Sequence, residues 1–317
     1  MSPARFLLKR TLQGVVVVWG VVTVVFGLRV VSPGKPENVL LPPDVSQETR
    51  DQVVAELGLD QPLYVQYLDY LAGLLTGDMG TSLVTRTPAA DRVLSKVPAT
   101  LELAVAATLV AVAIAIPLGV VSATRRHQPA DYGATTFSLV GISTPNFWLG
   151  IMLILLLAVE FGLFPTSGRP DGGLVAVGGA LLAAEIGTAA DRLVAWLYHI
   201  VLPAVTLGTY FTALITRLTR SGMLEELGES YVRTARAKGL PEALVRYKHA
   251  LRNTLIPIIT VLGLQMGTLI GGAVITEAVF DWPVVQASIV VIGVGFVVLN
   301  ILVDALYAYV NPQVSAE

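Results

Sequence analysis

Apolar residues run along this chain in long blocks separated by short polar stretches. A bilayer core of roughly 30 Å takes about 20 apolar residues in a helix. Six blocks meet that length, at about 11–31, 101–121, 135–160, 196–216, 255–275 and 284–304. The pattern predicts an all-α polytopic membrane protein with six transmembrane helices. The first block follows Arg5, Lys9 and Arg10, as the core of a signal peptide would. Its apolar run is longer than that and lacks a small-x-small cleavage site, so it reads as an uncleaved spanning helix. A seventh stretch, Gly172 to Gly187, is short, rich in glycine and broken by Glu185. It is expected to lie on the membrane surface or to pack on the protein.

Charge sets the orientation, because short loops rich in Lys and Arg stay in the cytoplasm. Arg5, Lys9 and Arg10 precede the first span, Arg125 and Arg126 follow the second, and Arg217 to Arg252 holds eight Lys/Arg against four Glu. In a six-span layout all three sets fall on one side, which makes both termini cytoplasmic. The opposite side receives residues 32–99, with nine Asp/Glu against five Lys/Arg. Ser46 to Leu57 opens on a candidate N-cap and ends before Gly58, and Leu63 to Leu75 repeats apolar residues at helical spacing. Tyr64, Tyr67, Leu68, Leu71 and Leu74 give the second of these a face to bury. This predicts a small extracellular helical subdomain, the alternative being a flexible acidic linker. The chain thus divides into an N-terminal spanning helix (1–31), the extracellular subdomain (32–99) and a transmembrane core (100–312).

Prolines fall inside four spans, at Pro117, Pro145, Pro203 and Pro257. Each bends its helix and frees a carbonyl that neighbours must satisfy. Ser143, Thr144 and Asn146 surround Pro145 at a depth where polarity is costly unless it faces protein or water. They read as a wall of a translocation path, or as polar glue beside a structural kink. Charges within spans are Arg29, Glu102, Glu160 and Asp304, all near ends. A carrier coupled to protons or sodium keeps a carboxylate or an unwound helix near mid-membrane, so the driving force is expected to come from elsewhere.

Composition agrees and removes several chemistries. Residues of the hydrophobic set make up 54% and charged residues 14%, against about 25% in soluble domains, and mean hydropathy is +0.70. With no cysteine, disulfides, iron–sulfur clusters, thiolate zinc sites and cysteine nucleophiles are excluded. His127, His199 and His249 are scattered, and neither H-E-x-x-H nor G-x-x-x-x-G-K-[ST] occurs. A net charge of -2 gives no argument for nucleic acid.

The loop between the fourth and fifth spans carries the most information. Leu224, Leu227, Tyr231 and Ala235 share a helical face, Gly239 suits a C-cap, and Pro241 suits the first position of a second helix. Two short helices meeting at Gly239 would form a compact basic wedge. By composition this fits a lipid-facing amphipathic element, a calmodulin-like target or a protein docking site.

The same loop resembles the coupling ("EAA") motif in the permease subunit of binding-protein-dependent ABC importers of the dipeptide/oligopeptide/nickel type. Arg233-Thr234-Ala235 occupies the triplet and Gly239 the glycine of Y-V-x-T-A-R-A-K-G-L, and H-A-L-R-N-x-L-I-P follows as His249 to Pro257. The likeness continues through R-F-L-L-K-R, S-P-G-K-P, L-G-L-D-Q-P-L, G-D-M-G-T-S, P-A-T-L-E-L, S-T-P-N-F-W-L-G and L-P-A-V-T-L-G, in family order. There are two departures. The triplet lacks its glutamate. After the fifth span, Asp281-Trp282-Pro283 leads directly to Val284-Val285-Gln286, so one copy of the family's pattern and the external helix between copies are missing.

The resemblance implies a multi-pass subunit of a prokaryotic plasma membrane, working by alternating access with a second homologous permease. It also implies two cytosolic ATPase subunits, which bind ATP and Mg, and an extracellular substrate-binding protein. This chain would carry no cofactor, no metal and no catalytic residue. Tyr231, Arg233, Thr234, Ala235, Arg236, Lys238 and Gly239 would meet the ATPase, with Tyr231 and Ala235 filling a groove and Arg233, Arg236 and Lys238 pairing with acids. Ser143, Thr144 and Asn146 would line the path. Peptides are the family's commonest cargo, with nickel chelates, glutathione and oligosaccharides as others. The competing classes are a stand-alone secondary transporter or channel, and a membrane enzyme.

Overall fold

The computed structural model describes residues 3–31, 45–56, 58–80 and 87–281, and every regular element longer than one turn among them is helical. The sixth apolar block and Asp304 lie outside the described residues, as do Trp282, Pro283 and the segment after them, and residues 32–44. The chain divides into two compact units that part between residues 98 and 99.

In the first unit, α1 (Pro3–Val31) is followed by α2 (Gln47–Glu56) and α3 (Leu63–Thr76). Ser46 does cap α2, its Oγ accepting the Thr49 N–H at 3.3 Å. Gly77, at φ 85°, closes α3. Helix α3 meets α1 through Tyr67 and Tyr70, whose rings lie 5.2 and 5.9 Å from that of Phe26, and through a 2.6 Å bond between the Tyr67 and Thr23 hydroxyls. The expected apolar face is therefore corrected. Tyr64 and Leu68 stay exposed, because the α1 contact falls on the side of Tyr67 and Tyr70.

The second unit holds most of α4 (Ala89–Thr124), then α5 (Pro129–Ser143) and α6 (Asn146–Leu153), which continues as a π-helical turn to Glu160. After a loop come α7 (Gly173–Leu182), the 43-residue α8 (Ile186–Gly228) and α9 (Ser230–Ala237). Last is one uninterrupted rod: α10 (Glu242–Leu244), a π-helical turn (Val245–Ala250) and α11 (Leu251–Val279). Among the described residues α4 and α8 are long and apolar enough to cross a membrane, and α5 with α6 makes a third candidate bent by 105°.

The core is built on a ladder of small residues. Ala99, Leu103, Ala107, Ala111 and Ala115 repeat every four residues along α4, fully buried, against Ile200, Ala204, Leu207, Phe211 and Ile215 of α8. Backbones approach so closely that a Cβ on Gly208 would stand 2.8 Å from the Ala107 carbonyl oxygen. Helix association in a bilayer depends on this kind of packing, since lipid tails are as apolar as leucine. Much of the buried polarity of α8 is absorbed within the helix: Thr206, Thr212 and Thr216 are buried and donate to carbonyls four residues back at 2.7–2.8 Å.

Candidate functional site

Helix α8 extends a dozen residues past Thr216, the last back-bonding threonine in that row, before it stops at Gly228. There the chain turns through Glu229 (φ -67°, ψ 152°) into α9. We refer to α9 and the turn after it as the elbow. Its end has the geometry of a Schellman cap: Leu240 N–H donates to Ala235 O at 3.3 Å and Gly239 N–H to Arg236 O at 2.9 Å. Gly239 sits at φ +75° with nothing within 4 Å of an added Cβ, so its requirement is conformational and not steric. Pro241 is the N-cap of the next helix, one position earlier than the spacing suggests. That helix is not a separate short one, since the rod from Glu242 runs on to Val279.

Two sets of contacts fasten the elbow. Val232, Ala235 and Val245 are buried together, with Leu227, Tyr231 and Leu240 packed on them. The Tyr231 hydroxyl donates to the Glu226 carboxylate and receives a 3.0 Å bond from Asn253 Nδ2. Burial first, then the Glu226 carboxylate, pushes the Tyr231 phenol up to about 12. Across the turn, Arg236 pairs with Glu242 at 3.0 and 3.2 Å, and Arg246 reaches the same carboxylate at 3.1 Å. The Arg236 guanidinium, then Arg246, holds the Glu242 carboxyl below the usual range.

The structure therefore changes the part played by three predicted residues. Tyr231 and Ala235 turn into the chain's own core and position the elbow, and Arg236 is already paired. Arg233, Thr234, Ala237 and Lys238 remain on the exposed side, joined by Leu244 and Tyr247 from the rod.

Behind the elbow, Met223 is fully buried with Val120, Ala123 and Ala250, which ties the end of α4 to α8 and the rod. One turn away, Asp131 of α5 accepts four hydrogen bonds. Arg220 gives two, from Nε at 2.6 Å and Nη2 at 2.9 Å, Ser122 Oγ gives one at 2.6 Å and the His127 N–H one at 3.0 Å. Nothing local in the sequence announces this group. An acid in a span's first turn and an arginine at another span's end form a usable signal only when their pairing is known.

At the far end of α5 the polar cluster stands at the 105° break. Thr144 is the C-cap, its hydroxyl bonded to Val140 O at 2.7 Å, and Pro145 at φ -63°, ψ 131° precedes α6. The structure keeps Ser143, Thr144 and Asn146 together there, with Phe147 and Trp148 exposed beside them. The single span expected over 135–160 is thus two helices at an angle.

The opposite end of the core holds the predicted Glu102, less than a tenth exposed. It accepts from Arg169 at 2.7 and 3.1 Å, from Trp196 Nε1 at 2.9 Å and from Leu174 N–H at 3.1 Å. A Cβ on Gly173 would lie 2.0 Å from the Arg169 guanidinium, so any larger residue there would push that arginine aside. Sequence reasoning passed over Glu277, which is fully buried in the last turn of α11 and takes a 2.5 Å bond from Thr100 Oγ1.

Comparison with known proteins covers nearly the whole chain. The family described as binding-protein-dependent transport system inner membrane component matches residues 115–316, and its N-terminal companion matches residues 3–104. An oligopeptide transport system permease protein of Bacillus subtilis is 38% identical, over 98% of this chain and 99% of its own length. A dipeptide transport system permease protein of Escherichia coli is 39% identical, over 98% of both. A di/tripeptide transport system permease protein of Pseudomonas aeruginosa is 42% identical, over 93% of this chain and 94% of its own length. The Escherichia coli alignment runs over 333 positions, more than the 317 residues of this chain, so that relative carries residues without a counterpart here.

Proposed function

We propose, from the premise that this chain belongs to the family of binding-protein-dependent transport system inner membrane components, that it is the permease subunit of an ATP-driven importer of dipeptides or oligopeptides. It forms the translocation path with a second homologous permease. Two ATPase subunits hydrolyse ATP with Mg on the cytosolic side, and an extracellular binding protein delivers the cargo. This chain itself takes no cofactor and performs no reaction. The names of its relatives support the cargo class.

The observation that carries the mechanism is the unbroken rod from Glu242 to Val279, with the elbow capped on its end. Force applied to the exposed Arg233, Thr234 and Lys238 reaches α11 with no flexible linker between, and helix pairs that move as rigid bodies are the usual elements of such switches. The charge asymmetry supports a cytoplasmic elbow, at the end that carries Arg125, Arg126 and the cations of Arg217 to Arg252, in a layout of six spans with both termini inside. Ser143, Thr144 and Asn146, at the break between α5 and α6, form part of the path wall, where freed backbone groups can face water.

Reconstitution of this chain with the second permease, ATPases and binding protein of its own system tests the reading, with uptake of a labelled dipeptide and ATP hydrolysis as readouts. Gly239→Val should permit assembly while weakening ATPase binding and uncoupling hydrolysis from uptake, since a β-branched residue at positive φ costs about 1 kcal/mol or more. Normal coupling in that variant removes the elbow from the mechanism, and uptake without the ATPases overturns the importer. A cysteine at Thr49, in a chain that has none, should react with an impermeant reagent from outside, and one at Ser230 should not. The reverse pattern inverts the orientation.

A further inference from the structure

We infer that Asp131 and Arg220 form the joint that makes α5 move with the elbow, so that they are positioning residues for the coupling of ATP hydrolysis to transport. The inference rests on the importer reading above and concerns how motion leaves the elbow.

Three observations converge on the pair. The carboxylate is saturated: Arg220 approaches it side-on through Nε and Nη2, Ser122 adds a bond from α4, and the His127 N–H adds one from the turn. Such bidentate charge-assisted contacts fix angle as well as distance. One acid thus ties α4, the α4–α5 turn and α8 to the first turn of α5. Second, the turn itself is held in an unfavourable backbone conformation. His127 stands at φ +60°, a region that non-glycine residues avoid. The bond from its N–H to Asp131 at 3.0 Å is part of what holds it there. Third, the pair is placed between an input and an output. Arg220 is one turn of α8 from Met223, whose buried cluster includes Ala250 of the rod. Asp131 opens the helix that ends at the Ser143-Thr144-Pro145 break.

Alternatives within the fold account for less. The exposed face of α5, including Tyr132, Phe137 and Leu139, cannot transmit from α8. A mere tether needs one bond, and two hydrogen bonds from one guanidinium resist rotation.

The test uses the full complex in proteoliposomes, with Asp131→Asn and Arg220→Lys, the latter keeping the charge but losing the fork. Spin labels go on cysteines at Ser230 of the elbow and Thr136 of α5, both exposed and neither placed at the ATPase contact. In the wild type the distance between labels should stay constant when nucleotide is added, because elbow and α5 travel together. In Asp131→Asn it should change or broaden, and ATP hydrolysed per labelled dipeptide imported should rise several-fold. Arg220→Lys should be intermediate. A wild-type complex that imports nothing faults the importer reading and not the joint. A coupled wild type whose variants show unchanged distances and ratio overturns the joint. Failure of both variants to assemble makes the pair a folding staple only and overturns it as well. A lower uptake with the ATP-to-dipeptide ratio and distances unchanged does the same.

Discussion

Each end of the α4–α8 pair carries a buried carboxylate with four donors, and the two sites differ in what those donors join. Glu102 draws its bonds from the Arg169 fork, Leu174 N–H and Trp196, so it anchors a loop and the helix after it. The side chains of both Glu102 and Arg169 are nearly sealed, at 7% and 11% exposure. Asp131 is as closed at 4%, yet its Arg220 partner is 29% exposed and leads within one turn to the cluster behind the elbow. The same chemistry is sealed on both sides at Glu102 and left partly open on the arginine side at Asp131.

The largest effect should come from the sealed staple. Glu102→Leu leaves the Arg169 guanidinium buried without its carboxylate, a loss of about 3–5 kcal/mol. Thermal unfolding in detergent should show it as a markedly lowered Tm, and adding Arg169→Met should recover most of the loss. A single variant as stable as the wild type would remove the contrast between the two ends. Asp131→Asn should cost less, about 1.5–3 kcal/mol, because the half-open Arg220 can turn to water. Its Tm should lie between those of Glu102→Leu and the wild type. The reverse order would make the elbow-end pair the principal staple.

At the elbow the effects are smaller. Tyr231→Phe removes the hydroxyl between Glu226 and Asn253, for about 1 kcal/mol. Hydrogen exchange should quicken across Ser230–Lys238 while the α4–α8 ladder keeps its protection. Equal quickening in both regions would mean that the elbow and ladder open as one unit.

The smallest effect is that of pH. The raised phenol of Tyr231 favours the neutral form in the folded protein. That contribution is complete below the ordinary value of 10.0 and is lost as pH climbs through about 12. The lowered carboxyl of Glu242 works in the opposite sense. Its contribution is complete above the ordinary carboxylate range and is lost as pH falls below it. Elbow exchange rates, corrected for intrinsic chemistry, should therefore be flat between about pH 6 and 9. The phenolate absorbance of the wild type, less that of Tyr231→Phe, should appear near pH 12. A midpoint near 10 would detach Tyr231 from Glu226.

What the sequence discloses follows the range of the interaction. Ser46 as a cap, α3 and the turn at Gly239 are local, decided by residues within a helical turn, and all are legible. Pro145 announces a break but not its size. The angle depends on what α6 packs against, and a Cβ on Gly150 would touch Phe280, Val279 and Thr206 at 3.1–3.3 Å, all distant in the chain. The partners of Glu102 and Asp131 lie 67 to 94 and up to 89 residues away. An acid near a helix end looks the same whether it faces headgroups, water or an arginine. Tyr231 shows the converse error: its helical face was readable, but which neighbour that face meets was not. The two π-helical turns left no sign, since they depend on which carbonyl each amide selects.

One of those turns bears on how such chains tolerate changes in length. Between Val245 and Ala250 each hydrogen-bonded ring closes one residue later than in an α-helix. The rod therefore stores a residue that regular winding would not need. Losing one residue there could be absorbed by a return to α geometry, keeping the helix whole. Each residue carries about 100° of rotation in an α-helix, and the wider π-helical ring takes up the extra one, so the elbow would keep its direction relative to α11 and every contact of the α4–α8 ladder would stay in place. This turn is thus a place where descendants of this chain could lose a single residue while the exposed face of the elbow stays aimed as it is.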